Sequence, residues 1–265
     1  MADDQQLQSE LWRSLLTGEN PGLRRLRGFW TRIPSSPRCK VCGAPFHGFG
    51  GPVARALRFG PSTDNALLCG ACFGSLVKNP GGAEVEISVL FADIRGSTGL
   101  AERISAGQFR SLLQAYYRVA AGAIEHDGGI VDKFLGDGVM ALFIPVLTGE
   151  NHAGRAIDAG RGILESIERE GLAAKGLLAG AGVHTGEAFV GSVGTAEKTD
   201  FTALGDTVNV AARLGGLAGP RELLVSRTAW DRAHLDEPSE VREVAIAGRT
   251  SGLPVVSVKV AAQPV

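Results

Sequence analysis

The stretch "IVDKFLGDGVMALF", residues 130 to 143, sets Ile130-Val131 and the run Val139 to Phe143 on either side of Asp132, Lys133 and Asp137. Both apolar halves suit strands buried on two faces, and the glycines Gly136 and Gly138 predict a tight turn between them, because glycine accepts a positive φ without steric cost. The segment is therefore read as a β-hairpin. A turn explains the glycines, but not a lysine and a carboxylate beside a core strand.

Working outward, "EVEISVLFADI" (84 to 94) reads as another buried strand, ending in "FADIRGST" with Asp93 at its last turn. Ser105 and Gln108 form a capping box ahead of Phe109, Leu112, Leu113, Tyr116, Val119, Ala120 and Ile124, which share one helical face. A helix of small residues is expected over 151 to 169. "GLLAGAGVHTGEAFVGSVG" (176 to 194) is read as strand, turn, strand, with His184 a structural strand-end histidine, and a further helix begins near Asp206, taken as its N-cap. Short strands and one helix fill the last 45 or so residues. Strands and helices are interspersed with antiparallel hairpins, which predicts an α+β fold: an antiparallel-rich sheet with helices packed on it.

The chain has 265 residues, 44% of them apolar, enough for a substantial core. Its 27 basic and 28 acidic residues nearly cancel, which argues against a protein that coats nucleic acid by bulk charge, and no nucleic-acid partner is expected. No run approaches the ~18 apolar residues of a membrane span. The acidic, polar start "MADDQQLQSELWR" is unlike a signal peptide, so a cytoplasmic location is expected. The 37 glycines follow no period and point to tight turns and close backbone approaches.

The N-terminal third differs in character. Leu7, Leu11, Trp12, Leu15 and Leu16 fall at helical spacing, and "TGENPG" ends that helix. "LRRLRGFWTR" (23 to 32) is a short basic segment carrying Phe29 and Trp30, read as a solvated face with its aromatics tucked inward. All four cysteines, Cys39, Cys42, Cys69 and Cys72, lie in two CxxC pairs. Two such pairs aim four thiolates at one ion; a structural Zn²⁺ is expected, with an iron centre second, while His47 is left as a loop histidine. The expected organisation is a helical segment over 1–32, a four-cysteine metal module over 33–80 and a third domain over 84–261, the boundary marked by "KNPGGAEVE".

Alone, Asp93, Asp137 or the pair Asn209 and Arg213, four apart on one helix, would be turn residues or a solvated face. Together, "FADIRGST", "DKFLGDGVMALF" and "TALGDTVNVAARL" resemble the catalytic domain of class III nucleotidyl cyclases over roughly residues 84 to 260. That resemblance implies a ferredoxin-like sheet. It also implies two Mg²⁺ or Mn²⁺ ions held by Asp93 and Asp137 with the carbonyl of Ile94, and a phosphate-binding turn at Gly96, Ser97 and Thr98. It makes Lys133 and Thr202 the purine readers, Asn209 the ribose-orienting residue and Arg213 the stabiliser of the α-phosphate transition state. Arg249 aligns with a basic residue for the terminal phosphates.

The implied reaction is attack of the 3′-oxygen of a nucleoside triphosphate on its own α-phosphorus. ATP is expected, because Lys133 can donate to adenine N1 while the Thr202 hydroxyl accepts from the 6-amino group. Many relatives carry aspartate where Thr202 stands. Family members pair head to tail, so a homodimer is implied in which one chain gives Asp93 and Asp137 and the other gives Lys133, Thr202, Asn209 and Arg213. The alternatives are a guanylate cyclase and an inactive nucleotide-binding regulatory domain. The four-cysteine module suggests a regulatory partner or signal. Asp132 is left to support the hairpin or face solvent.

Overall fold

The structure, a computed structural model, describes residues 2–35, 37–63, 68–78, 81–195, 199–236, 240–246 and 252–262. Helices α1 (Ala2–Leu16), α2 (Pro21–Trp30), α3 (Gly50–Ala56) and α4 (Gly70–Lys78) precede the long strand β1 (Gly81–Ile94). Helices α5 (Ser97–Arg103) and α6 (Ala106–His126) lead into the hairpin β2 (Ile130–Leu135) and β3 (Gly138–Phe143). Then come α7 (Pro145–Thr148), α8 (His152–Arg169), β4 (Ala179–Gly194), β5 (Thr199–Leu204), α9 (Asp206–Leu217), β6 (Glu222–Ser226), α10 (Arg227–Arg232), β7 (Val241–Val244) and β8 (Leu253–Lys259). The chain divides into two compact units: Met1–Glu86 with Ile144–Glu150 and Glu187–Leu204, and Ile87–Phe143 with Asn151–Gly186 and Gly205–Val265.

In the first unit, α1 buries Trp12 and Leu16 but leaves Leu7 and Leu11 in solvent, so only part of its apolar stripe is core. The basic segment 23 to 32 falls largely within helix α2. Asn20 Oδ1 accepts from the Leu23 amide at 3.0 Å and proline occupies the first turn, both strong initiation signals. Of its two aromatics only Trp30 is tucked inward; Phe29 is exposed. β5 pairs antiparallel with the far half of β4, Gly191 facing Thr202.

In the second unit the sheet runs β2-β3-β1-β4-β6-β8-β7, antiparallel at β2–β3, β3–β1, β6–β8 and β8–β7 and parallel where β4 lies beside β6. Period-2 alternation sorts its two faces. Leu90, Ala92 and Ile94 of β1, Ala141 and Phe143 of β3, and Leu223 and Val225 of β6 face α6 and α8 in the main core. On the opposite face, Leu224 of β6 with Leu253 and Val255 of β8 packs against Val210 and Leu214 of α9 and the Ala218 that follows it. Covering both faces is why the central strands read as continuous apolar runs. β3 is buried throughout, whereas β2 is an edge strand that buries Ile130 and leaves its far end exposed. The capping box at Ser105 and Gln108 starts α6.

The expected turn within 176 to 194 does not form, and β4 is one strand of 16 residues. Its glycines serve clearance. A Cβ on Gly182 would lie 2.1 Å from the Gly215 nitrogen, and one on Gly186 would lie 2.8 Å from Thr207 Oγ1. A Cβ on Gly215 would in turn meet Phe91 Cβ at 2.8 Å, so α9 sits against β1 and β4 at backbone distance. The α9 N-cap is Gly205, at φ 132°, and Asp206 is the first helical residue. Inside the unit, Ser88 Oγ lies 2.9 Å from His152 Nδ1 and 2.6 Å from Thr185 Oγ1. His184 Nδ1 lies 2.7 Å from Ser226 Oγ, whose oxygen also caps α10.

Candidate functional site

β1 and β3 are antiparallel neighbours, with Asp93 directly opposite Gly138. Asp137, at the hairpin tip, is therefore carried to the end of β1, and the Ile94 amide donates to its carbonyl at 3.1 Å. Asp93 follows Phe91 by two residues and so shares the sheet face on which Gly215 of α9 packs. Its carboxyl is held above the usual carboxylate range, first by burial, against the opposing pull of Arg95, and further by Asp137, which repels it and shares a hydrogen bond with it. Two carboxylates forced together in this way suit a hard divalent cation, which takes oxygen ligands and relieves their repulsion.

Arg95, absent from the sequence-based set of site residues, makes three hydrogen bonds that tie the ends of β1 and α9 together at this corner. Its Nη2 bonds Asp93 Oδ2 at 2.8 Å, its Nε donates to the Asp93 carbonyl at 3.2 Å, and its Nη1 donates to the Gly216 carbonyl at the end of α9 at 2.9 Å. A signal was available: residues two apart on an extended chain project to one side, and an arginine stands two after Asp93. Gly138 was missed as well. A Cβ there would lie 3.3 Å from Asp93 Oδ1 and from the Ala92 carbonyl. Tyr117 of α6 donates to the Gly136 carbonyl, and its ring stacks on Phe134 with centroids 4.2 Å apart, fixing the hairpin from the helix side. Beside it the fully buried Tyr116 hydroxyl has no hydrogen-bond partner among the described residues, and burial followed by the charge of Asp93 pushes its pKa well up.

Gly96 caps α5 in the left-handed conformation, φ 65°, and brings no side chain to the first turn, which contains Ser97 and Thr98. Lys133 pairs with Met140 across the hairpin, its side chain 40% exposed. Asp132 is the extra residue of a β-bulge between Val131 and Lys133. Its side chain is 1% exposed and bonds Lys133 Nζ at 3.1 Å, so it supports the hairpin and does not face solvent. Asn209 and Arg213 stand four apart on α9. Thr202 is buried on β5 in the first unit. Arg249 lies outside the described residues.

The four cysteines converge. Their sulfurs all lie within 4.8 Å of one another, none in a disulfide, and Cys42 Sγ is 3.7 Å from Cys69 Sγ. Ligands at ~2.3 Å around a tetrahedral zinc would be separated by about 3.8 Å. The Cys69 amide donates to Cys39 Sγ at 3.3 Å and the Cys72 amide to Cys69 Sγ at 3.4 Å, stabilising charge on sulfur. Hydrogen bonds from Cys42, Cys69 and Cys72 lower the Cys39 thiol's pKa, while the bond to Cys39 raises those of Cys42 and Cys72. Among the described residues no helix is long and apolar enough to cross a membrane.

Comparison with known proteins places this site in context. Residues 82–251 match the profile of the adenylate and guanylate cyclase catalytic domain. Over 138 residues, half of the chain, the sequence is 36% identical to adenylate cyclase 1 of Rhizobium meliloti, covering 21% of that protein. Over 130 residues, 48% of the chain, it is 34% identical to the terminal-differentiation-specific adenylate cyclase of Dictyostelium discoideum, covering 6% of it. The matches thus span a small part of these relatives' length. Among solved structures, the guanylyl cyclase Cya2 superposes with a TM-score of 0.62 at 28% identity, covering 67% of this chain and 93% of that one. The adenylyl cyclase CyaB from P. aeruginosa gives 0.60 at 27% identity, covering 68% and 96%.

Proposed function

The chain belongs to the adenylate and guanylate cyclase catalytic-domain family, and from that premise we propose that it is an adenylate cyclase, converting ATP to 3′,5′-cyclic AMP and pyrophosphate in the cytoplasm. The observation that carries the reading is the β1–β3 register, which sets Asp93 opposite Gly138 and beside Asp137. Two divalent cations, Mg²⁺ or Mn²⁺, would supply charge to acidify the 3′-hydroxyl and offset charge on the α-phosphate and the leaving pyrophosphate. Asp93 and Asp137, with the Ile94 carbonyl, would hold them.

The chain's own groups do the rest. The turn at Gly96, Ser97 and Thr98 offers amides to the phosphates. Asn209 orients the ribose so that the 3′-oxygen lies in line with the α-phosphorus and the departing pyrophosphate. Arg213 stabilises the charge that gathers on the α-phosphate oxygens. The new O3′–P bond forms as the bond to pyrophosphate breaks, and the 3′ proton passes to water or to the substrate. Lys133 donates to adenine N1 and Thr202 accepts from the 6-amino group; guanine would set a donor against the lysine. Arg249 is kept as a candidate for the terminal phosphates.

The active unit is a homodimer with one chain's Asp93 and Asp137 completed by the other's Lys133, Thr202, Asn209 and Arg213. Phe134 and Leu135, 43% and 48% exposed beside Lys133, and Leu217 at the end of α9, 50% exposed, support a surface that a second copy covers. The organisation into 1–32, 33–80 and 84–261 is retained, with one structural Zn²⁺ on the four cysteines and a regulatory role for that module.

Turnover of ATP and GTP with Mn²⁺ tests the reading. Cyclic AMP should form well in excess of cyclic GMP, and Lys133→Glu should remove that preference. A chain that prefers GTP, or makes neither product, contradicts it.

A further inference from the structure

Helix α3 is built inside out. Its inward residues are small: Gly50, Gly51 and Ala54 are buried. A Cβ on Gly50 would lie 2.7 Å from Pro45 Cγ, and one on Gly51 would lie 2.8 Å from the Phe46 carbonyl oxygen. The helix is thus pressed onto the loop that follows the first CxxC pair, and that packing leaves no room to turn its large residues inward. Phe49, Pro52, Val53, Ala56 and Leu57, spaced i, i+3, i+4, i+7 and i+8, all face solvent. Phe49 is 100% exposed, Val53 53% and Leu57 56%.

Charge says what covers this stripe. From Pro21 to Thr63 the sequence has eight arginines and lysines and no aspartate or glutamate, although the whole chain is balanced at −1. Arg55 and Arg58, on and just past α3, are exposed, as are Arg24, Arg25 and Arg32 on and just past α2. Trp30 and Phe59, with ring centroids 5.6 Å apart, join the C-terminal ends of the two helices.

An apolar ridge flanked by exposed arginines, in a segment without acidic residues, fits a surface that is both oily and anionic. A second copy of the chain would bring like charges together. A nucleic acid would meet the arginines and could stack on Phe49, but it would gain little from Pro52, Val53, Ala56 and Leu57, which make up the rest of the stripe and offer no flat face. We propose that α3 and its flanking arginines dock the chain on an anionic lipid bilayer. Phe49, Val53 and Leu57 enter the acyl boundary and the arginines bind headgroup phosphates. The contact is peripheral and reversible.

Flotation of the full chain with vesicles tests this. Phosphatidylcholine vesicles containing phosphatidylglycerol should carry the protein upward, phosphatidylcholine alone should not, and high salt should release it. Substituting serine at Phe49, Val53 and Leu57 together should weaken flotation about tenfold or more. The paired charge reversal Arg55→Glu and Arg58→Glu should weaken it similarly. All five side chains are exposed, so circular dichroism and solution cyclase activity should be unchanged in both variants, which checks folding. Four outcomes would overturn the proposal. The chain could float equally with neutral vesicles, not float at all, or float undiminished with the triple serine variant. The fourth is self-association without vesicles that the serine variant abolishes, which would make the stripe a contact between copies.

Discussion

Asp93 owes its position to residues that carry no chemistry of their own. Gly138 leaves the space in which its carboxylate lies, and Arg95 grips both its Oδ2 and its carbonyl. Gly138→Ala should leave the fold intact but push the carboxylate off its line with Asp137. That should lower kcat by tenfold or more and raise the Mn²⁺ concentration for half-activity, since displacements of ~1 Å cost about a hundredfold. Steady-state kinetics against Mn²⁺ would show it.

Glu222 illustrates a structural charge. Burial works against its ionised form, but hydrogen bonds from Ser257 and the Gly219 amide, with the charge of Arg242, hold its carboxyl below the usual range. A depressed folded-state pKa contributes stability above the unfolded pKa, and that contribution is lost as pH falls through the folded one. Thermal unfolding should therefore show Glu222→Gln less stable than the unchanged chain at neutral pH, with the gap closing below about pH 4.

Among the elements, α9 depends most on small residues. It approaches the sheet through Gly182 and Gly215, and Gly182→Ala would set a methyl 2.1 Å from the Gly215 nitrogen. The helix must move outward, taking Asn209 and Arg213 with it. We expect a loss of about 1–3 kcal/mol in urea unfolding, together with a fall in kcat larger than the change in KM. The same glycines mark where the sequence was hard to read. "LGDG" disclosed its hairpin because strong apolar strands flank a short turn, and the capping box located α6. "HTG" in β4 carries the same residue types as a turn, yet its glycine makes room for Thr207 of the helix packed on that strand. Clearance of that kind depends on a partner remote in sequence, so a local pattern cannot reveal it. The cysteine cluster was legible because its residue types and spacing are themselves the chemistry, whereas the approach of Asp93 and Asp137 followed from reading their strands as neighbours and from the family resemblance. Arg95's contact with Asp93 could have been read from their spacing, but its bond to Gly216, 121 residues away, could not. The helix α2 was obscured by its charge, although Asn20 and Pro21 announced it.

For the whole molecule, residues 82–251 match the cyclase family, and the residues before them include the four converging cysteines and a basic segment with an exposed apolar stripe on α3. If the catalytic groups are divided between two copies, as proposed, activity should rise faster than linearly with protein concentration at high dilution. The most direct measurement mixes two inactive variants, Asp93→Ala and Arg213→Ala, with ATP and Mn²⁺, and follows cyclic AMP. Each should be inactive alone. The mixture should recover activity, because a mixed dimer has one site with both sets of residues unmutated. A mixture as inactive as its parts, with dimers shown to exchange, would contradict the shared site, and substantial activity in either variant alone would contradict the roles assigned to Asp93 and Arg213.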